Sequence, residues 1–492
     1  MFTFSTRMVR STIIVLICFL SIQLVHTQPI RKDLLNPHYL NYKGAPVLLI
    51  TSAEHYGSVI NLDFDYNTYL QTMHDEGMNY TRIFTGSYVE VPGSFGITNN
   101  TLSPAVGKFL APWQRVDEPG LFEAEGKFDL NQWNDQYFLR LHDFIRKAQS
   151  LDIIVEVTFF CATYQDGNWL RHPFNPDNNI NELGTLDRKE FNSLENDKAV
   201  HFQKELLIKL VKELNRYDNI FFELCNEPWA DNGDNVAFLH KTLIPRENSL
   251  GWLLWATAAT GRTLEWQDEL TETFRETESN LEKKHLLAQN YSNFKSSLAT
   301  VHDGIDILNF HYAWPESVTQ NYGWDRPVNF DESGFAGTHD TTYLQEAWAF
   351  ILSGGAIFNG LDYSFYPGKE DGTGTNEAPG GGSTNFRRQL KFLNEFMSTF
   401  EFIKMRPADP LMIHSPGMES FCLADPGQSY AIYVQGRNQG VIHLKLPDGH
   451  YTVNIFNPDT GRMLKQTNIS GGEDITLEIP ANNRLAIGMK RR

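Results

Sequence analysis

The sequence is poor in cysteine, in positive charge and in long apolar runs, and each shortage closes off a class of protein. Four cysteines stand in 492 residues, and Cys18 lies in an N-terminal segment that reads as a removable leader. The other three, Cys161, Cys225 and Cys422, are odd in number and match no zinc-ligand spacing, so buried free thiols are expected rather than a disulfide framework or a structural metal. Lys and Arg total 42 against 60 Asp and Glu, a formal net charge of −18. With no basic stripe to displace counterions from phosphates, nucleic acid is not an expected partner. An acidic polymer would be repelled on average.

The apolar run from Ser11 to Val25, behind Arg7 and Arg10, is shorter than the ~20 residues that cross a bilayer. It reads as a secretory signal over residues 1–27, cleaved before Gln28. Ile17 before Cys18 is a poor setting for a lipoprotein signal, so release as a soluble secreted or periplasmic protein is expected, with no stable membrane insertion afterwards. Losing Arg7 and Arg10 takes the net charge from −18 to −20. No internal repeat is present. The Gly-rich stretch "DGTGTNEAPGGGST" (371–384) is read as a surface loop, because no Lys-Ser/Thr follows to hold a phosphate.

What the chain does have is apolar and aromatic residues, 41% and 13%, enough for a large packed interior. Eight short apolar runs recur: "PVLLI" (46–50), "NYTRIF" (79–84), "DIIVEVTFF" (152–160), "NIFFEL" (219–224), "HLLA" (285–288), "IDILNF" (305–310), "VNFDE" (328–332) and "AIFNGLDY" (356–363). Continuous runs of this kind suit parallel strands covered on both faces. Between them, residues 130–149 and 200–214 place apolar side chains at helical spacing, as does the stretch Leu344, Ala347, Trp348 and Ile351. The pattern predicts an α/β fold, a (β/α)₈ barrel over about 46–400 within a domain of residues 28–400. Ligand chemistry is then expected in the loops that follow the strands' C-terminal ends. From residue 405 to 492 the segments shorten and alternate, as in "SYAIYVQG" and "YTVNIFNP", which predicts a small antiparallel β-sandwich.

Two carboxylates stand where such a barrel does chemistry. Glu227, in "FFELCNEPW" (221–229), closes the fourth strand, and Glu332, in "FDESGF" (330–335), closes the seventh. Strands four and seven lie across a barrel mouth, and two carboxyl groups facing each other over a cleft suit cleavage of a glycosidic bond. With "NEP" after strand four, "DES" after strand seven and eight strands over about 350 residues, the chain resembles the glycoside hydrolases of clan A, the cellulase-like retaining barrels related to family 5. The resemblance implies that Glu227 is the acid/base, that Glu332 is the nucleophile, and that Asn226 holds the sugar 2-hydroxyl. It also implies that Arg82 and Tyr312 keep Glu332 ionised. The chain departs from the family 5 pattern in placing His311 and Tyr312 side by side, in ending strand three "FFCATY", and in ending strand eight "LDYSFY".

As acid/base, Glu227 would need a raised pKa, which burial beside Trp229 and the field of Glu332 are expected to supply. At the rim of strand one, Glu54, His55 and Tyr56 are candidates for sugar contacts, or Glu54 and His55 for a locally paired couple that orders the loop. Asp331 is read as facing the neighbouring strand. Trp169, Trp229, Trp314 and Trp324 lie in loops after strands three, four and six, and Trp314 is taken as a sugar-stacking candidate. The expected partner is an oligo- or polysaccharide, with no cofactor and no metal. Two other readings stand beside this one: a metal-dependent barrel hydrolase using His55, His311 and Asp331, which lacks the ligand spacing, and a glycan-binding scaffold with an inactive barrel.

Overall fold

The computed structural model of the chain describes residues 28–121, 126–239, 254–408, 413–414, 417–437 and 440–492; the expected leader lies outside the described residues. Eight parallel strands form the central sheet: β1 (Leu49–Ala53), β2 (Tyr80–Phe84), β3 (Ile154–Cys161), β4 (Ile220–Asn226), β5 (Leu287–Asn293), β6 (Ile307–His311), β7 (Val328–Ser333) and β8 (Ile357–Leu361). All eight overlap the runs picked out from the sequence, although the fifth run, 285–288, meets only the first two residues of β5. The ladder runs from β2 through β3, β4, β5, β6, β7 and β8 to β1, and no strand ladder joins β1 to β2 among the described residues. A side chain spans that seam. Asn79 accepts from the Ile50 amide at 2.9 Å and donates to the Leu48 carbonyl at 2.8 Å, taking up one donor and one acceptor that the missing ladder leaves.

Among the described residues, seven helices of seven or more residues surround the barrel: α1 (Tyr66–Asp75), α2 (Asp135–Ser150), α3 (Asp197–Leu214), α4 (Gly261–Ser279), α5 (Pro315–Asn321), α6 (Asp340–Ile351) and α7 (Thr384–Ser398). The sequence marks several of their starts, since Asp65, Asn134, Asn196 and Ser383 each accept a hydrogen bond from the first turn of the helix they precede. The second helix begins later than its periodicity predicts. Leu130 and Trp133 belong to a strand, Gly126–Trp133, paired in a hairpin with Trp113–Pro119, and Asn134 then caps α2. No helix joins β5 to β6. After β4 the chain forms an antiparallel hairpin, Gly233–Phe238 with Trp255–Ala259, whose second strand bridges to β5.

The barrel interior is unusually polar. Such barrels are normally filled by branched apolar layers, yet here Arg82, Glu156, Glu223, Asn290, Asn309, Asn329, Asp331 and Asn359 all lie fully buried on strands β2 to β8. Asn290, Asn309 and Asn329 stand in register across β5, β6 and β7. In six of the eight apolar runs these interior residues stand among apolar neighbours, two of them in "VNFDE", and that is the sequence trace of this interior.

The C-terminal region is one seven-stranded antiparallel sheet. Its two longest strands, Val441–Phe456 and Met463–Glu478, break register near Leu446 and double back. The halves enclose a core of Ile432, Val434, Leu444, Val453, Leu485 and Ile487, giving the expected small sandwich. The outer face of this sheet packs on the barrel: Tyr433 stacks on Trp348 of α6 at 5.4 Å, and Phe456 meets Phe396 of α7 at 6.0 Å.

Candidate active site

Glu227 follows the last residue of β4, and Glu332 sits within β7. Perfect alternation would send adjacent Asp331 and Glu332 to opposite faces. The pairing of β6 with β7 shifts between Phe310 and His311, so that His311 stands opposite Glu332. Such a bulge re-aims side chains, and here it turns both Asp331 and Glu332 toward the interior. Asp331 therefore does not simply face the next strand as the sequence suggested.

The two catalytic candidates come together. Oxygens of Glu227 and Glu332, with a ring nitrogen of His311, lie within 4.8 Å of one another. His311 Nδ1 is 2.9 Å from Glu227 Oε1 and 3.6 Å from Glu332 Oε1. Tyr312 donates to Glu332 Oε1 at 2.6 Å, and Tyr56 donates to Oε2 at 3.0 Å. Arg82 Nη1, which makes no hydrogen bond, is 3.7 Å from Glu332 Oε2. Its Nη2 bonds Glu223 and lies 3.3 Å from Asp331 Oδ2, so Arg82 serves the interior carboxylates as well as Glu332. The Tyr56 ring lies under the same guanidinium at 4.7 Å.

Backbone strain gathers at the same place. Tyr56, Tyr164, Glu227 and Tyr312 all have positive φ, between 45° and 64°, a region that residues other than glycine rarely enter without compensation. Each is a residue whose side chain converges on the site.

The charges are set by these neighbours. Burial pushes Glu227 up, as expected, but the hydrogen bond and charge of His311, with the Tyr164 and Tyr312 hydroxyls, outweigh it and leave the carboxyl below its ordinary value. The expected raised pKa of the free site is thus reversed, because the sequence did not show an imidazole on that oxygen. Burial would depress His311, but Asp331 and Glu332 and the bonds to Asp331 and Glu227 raise it well above the usual imidazole value. Deeper in the barrel, burial raises Glu223, but the Arg82 charge overrides this and brings it down to about 2. Burial and the neighbouring Glu223 hold Glu156 high, and Tyr80 donates to it.

The remaining candidates take varied places. Asn226 donates to Tyr164 at 2.7 Å and contacts Cys161 Sγ at 3.4 Å, while its Oδ1 is buried without a partner. Glu54 accepts from the Gly57 and Ser58 amides at 3.0 and 2.9 Å, which orders its own loop. His55 pairs not with Glu54 but with Glu90, at 3.4 Å, and its ring stands 5.8 Å from that of Tyr363. The Tyr363 hydroxyl and His55 Nδ1 are both buried without a partner. Trp314 packs edge-on to Phe294 at 5.9 Å and carries Lys295 over its ring at 4.8 Å. Trp229 presents its edge to His311 at 5.5 Å. The sequence placed Tyr56 at the rim as a candidate for sugar contacts and assigned no role to Tyr164, Tyr363, Glu156 or Glu223. Of these four, Glu156 and Glu223 carried a visible signal, each a lone Glu inside an apolar run.

Among the described residues two clusters have the donor set for a cation, Glu227 with His311 and Glu332, and Glu156 with Glu223 and Asp331. In the first, the Tyr312, Tyr56 and His311 donors already point at the carboxylate oxygens. The second already holds a cation, the Arg82 guanidinium, with the Asn290 and Asn309 amides around it. Cys161, Cys225 and Cys422 are free thiols.

No protein-family model matches the sequence, and no curated protein matches it. Solved structures do match its fold. A glycoside hydrolase family 5 protein from Bacteroides vulgatus ATCC 8482 superposes with a TM-score of 0.61 at 12% identity, over 94% of this chain and 93% of that one. A second solved structure, named a glycoside hydrolase, gives 0.61 at 13% identity, over 94% and 97%. The superpositions span almost the whole of both chains, so the likeness covers the C-terminal sheet as well as the barrel.

Proposed function

We propose that this protein is a retaining O-glycosyl hydrolase acting on β-linked oligo- or polysaccharides by double displacement. The observation that carries this reading is the approach of Glu227 and Glu332 to within 4.8 Å between facing oxygens. Retaining enzymes hold their carboxyl groups about 5–5.5 Å apart, whereas inverting ones leave roughly 6.5–9.5 Å for a water. Hydroxyl donors reach both oxygens of Glu332, Tyr312 on Oε1 and Tyr56 on Oε2, and hold it in place for attack.

In the first step Glu332 attacks the anomeric carbon while Glu227 delivers a proton to the departing oxygen, giving a glycosyl ester on Glu332. In the second, Glu227 takes a proton from water, the hydroxide attacks the anomeric carbon, and the ester bond to Glu332 breaks. Asn226, held by Tyr164, is placed beside the sugar 2-hydroxyl, and Arg82 with Tyr312 and Tyr56 stabilises Glu332 as it departs. Residues 1–27 are proposed as a secretory leader, and N-terminal sequencing of secreted protein should begin at Gln28.

The test is a panel of aryl β-glycosides followed by NMR of the first-formed anomer. Retention of configuration, and labelling of Glu332 by a 2-fluoro-sugar, are expected. Inversion would overturn the double displacement. Glycan binding without turnover would favour the scaffold reading, and loss of turnover on chelation would favour a metal hydrolase.

A further inference from the structure

The bulge that turns Glu332 into the cleft also buries Asp331 behind it. Asp331 Oδ2 lies 3.3 Å from His311 Nε2, and His311 Nδ1 lies 2.9 Å from Glu227 Oε1. A carboxylate, an imidazole and a second carboxylate therefore stand in line, running from the closed interior to the cleft. Asp331 is completely buried and stands behind the imidazole from the cleft.

We propose that Asp331 is a positioning residue for the reaction proposed above, holding the His311 imidazole in its doubly protonated form so that the Glu227–His311 pair carries the proton needed by the leaving group. The inference rests on that reading of the site. Charge around His311 supports it. Glu227 and Glu223 face it from β4 and the turn after it, and Asp331 and Glu332 from β7. Glu156, on β3, sits further into the same cluster and is held high, while Arg82, on β2, is the cluster's one other cation. Asn290, on β5, is uncharged. Four carboxylates against a single guanidinium favour a second positive charge. Asn290 Nδ2 stands 2.7 Å from the same Nε2, and a proton there requires the amide to turn its oxygen inward. That turn gives up the Asn290 amide's own bonds to Glu223 Oε1 and Asp331 Oδ2, at 3.1 and 3.2 Å, in exchange for the imidazolium proton, while Asn309 still donates to both oxygens at 2.9 and 3.1 Å.

The proton count closes over the cycle. Before reaction the pair is His311⁺ with Glu227⁻; the imidazolium passes its proton to Glu227, which passes it to the leaving oxygen. The attacking water later returns one proton to Glu227, and from there to His311. Burial raises Asp331 itself to about 6, so near neutral pH most of it is ionised and able to hold the imidazolium. Once that charge is removed, the pair should release its proton at lower pH.

Asp331→Asn, which keeps size and an acceptor, tests this. The alkaline limb of kcat/KM on an unactivated glycan should move to lower pH by roughly 1–3 units. On that limb, the ratio of rates on the unactivated glycan to a dinitrophenyl glycoside should fall about tenfold or more, since only the former needs the proton. The His311 ring, assigned by its loss in His311→Gln and followed by ¹⁵N NMR in the wild type, should be an imidazolium at pH 7 and should titrate earlier in Asp331→Asn. An unmoved limb with an unmoved titration would overturn the proposal. So would a wild-type ring that is neutral at pH 7 and accepts at Nε2, a result that needs no variant to fold. Because the NMR readout needs no turnover, failure of the glycosidase reading and failure of the Asp331 role are separable.

Discussion

Glu227 and Glu332 are the same chemical group in one site, and in the proposed reaction only their neighbours give them different work. Glu332 receives two phenol hydroxyls and faces a guanidinium at 3.7 Å. Glu332→Gln should therefore abolish turnover while the melting temperature stays near that of the wild type; an active variant would remove it from the nucleophile role. In the proposed reaction Glu227 shares its proton with His311. Removing a general acid typically costs about 10² to 10⁴ in rate, so Glu227→Ala should lose that much on an unactivated glycan yet still form the glycosyl ester from a dinitrophenyl glycoside. Azide in the vacated space should restore turnover with a β-glycosyl azide as product, and equal losses on both substrates without rescue would contradict the assignment. The pH dependence has a definite sign. His311 is raised in the folded protein, so the stability it contributes is present at low pH and is lost as pH rises through its folded value. Chemical denaturation of His311→Gln and the wild type should accordingly diverge most below that value and converge above it.

At the level of elements, the barrel closes through a side chain rather than a ladder, and that gives Asn79 a weight its sequence position does not advertise. Asn79→Ala removes both bonds between β1 and β2 and leaves the Ile50 amide and Leu48 carbonyl without those partners. The expected cost is about 1–3 kcal/mol, read as a lower denaturation midpoint with the unfolding slope unchanged; an unaltered midpoint would show that packing alone closes the seam. The contrast with the strands explains what the sequence makes legible. Apolar runs such as Ile154–Cys161 announce themselves because their burial on both faces is written in consecutive residues. Glu227 and Glu332 were legible for a related reason, since a carboxylate ending an apolar strand has few innocent explanations. The bulge at Phe310/His311 was not legible, because it depends on how β6 pairs with β7, and with it went the inward turn of Asp331. Tyr56 and Tyr164 reach the site only through positive-φ turns that no local pattern of their type predicts. The lowered Glu227 was hidden for the same reason: its cause is His311, 84 residues away in sequence.

For the whole molecule, the question is whether the C-terminal sheet is a separate passenger or part of the barrel's stability. Its strands are two-faced. Ile432 and Val434 point into the sandwich core, while Ala431 and Tyr433, one residue out of phase, join the barrel's own core with Leu423 and Ala486. Over Ser429–Gly436 and Arg484–Arg491, where both faces are dry, the sheet is a structural layer, and a flat aromatic strip open to a glycan is not what its barrel-facing side provides. Trp348 is the hinge of this contact: it lies fully buried in α6, stacked on Tyr433 and packed against Phe392 and Phe396 of α7. Trp348→Ala should cost about 3–5 kcal/mol, and because the side chain belongs to both layers, barrel and sheet should lose structure together. Scanning calorimetry of the wild type is then expected to show one cooperative transition that moves down in temperature without splitting in the variant. A chain ended after Lys404 would expose Trp348, Phe392 and Phe396 to water and should be recovered as aggregate. A soluble, active barrel from that truncation, or a calorimetric peak for the sheet that melts on its own, would show that the sheet is a passenger after all.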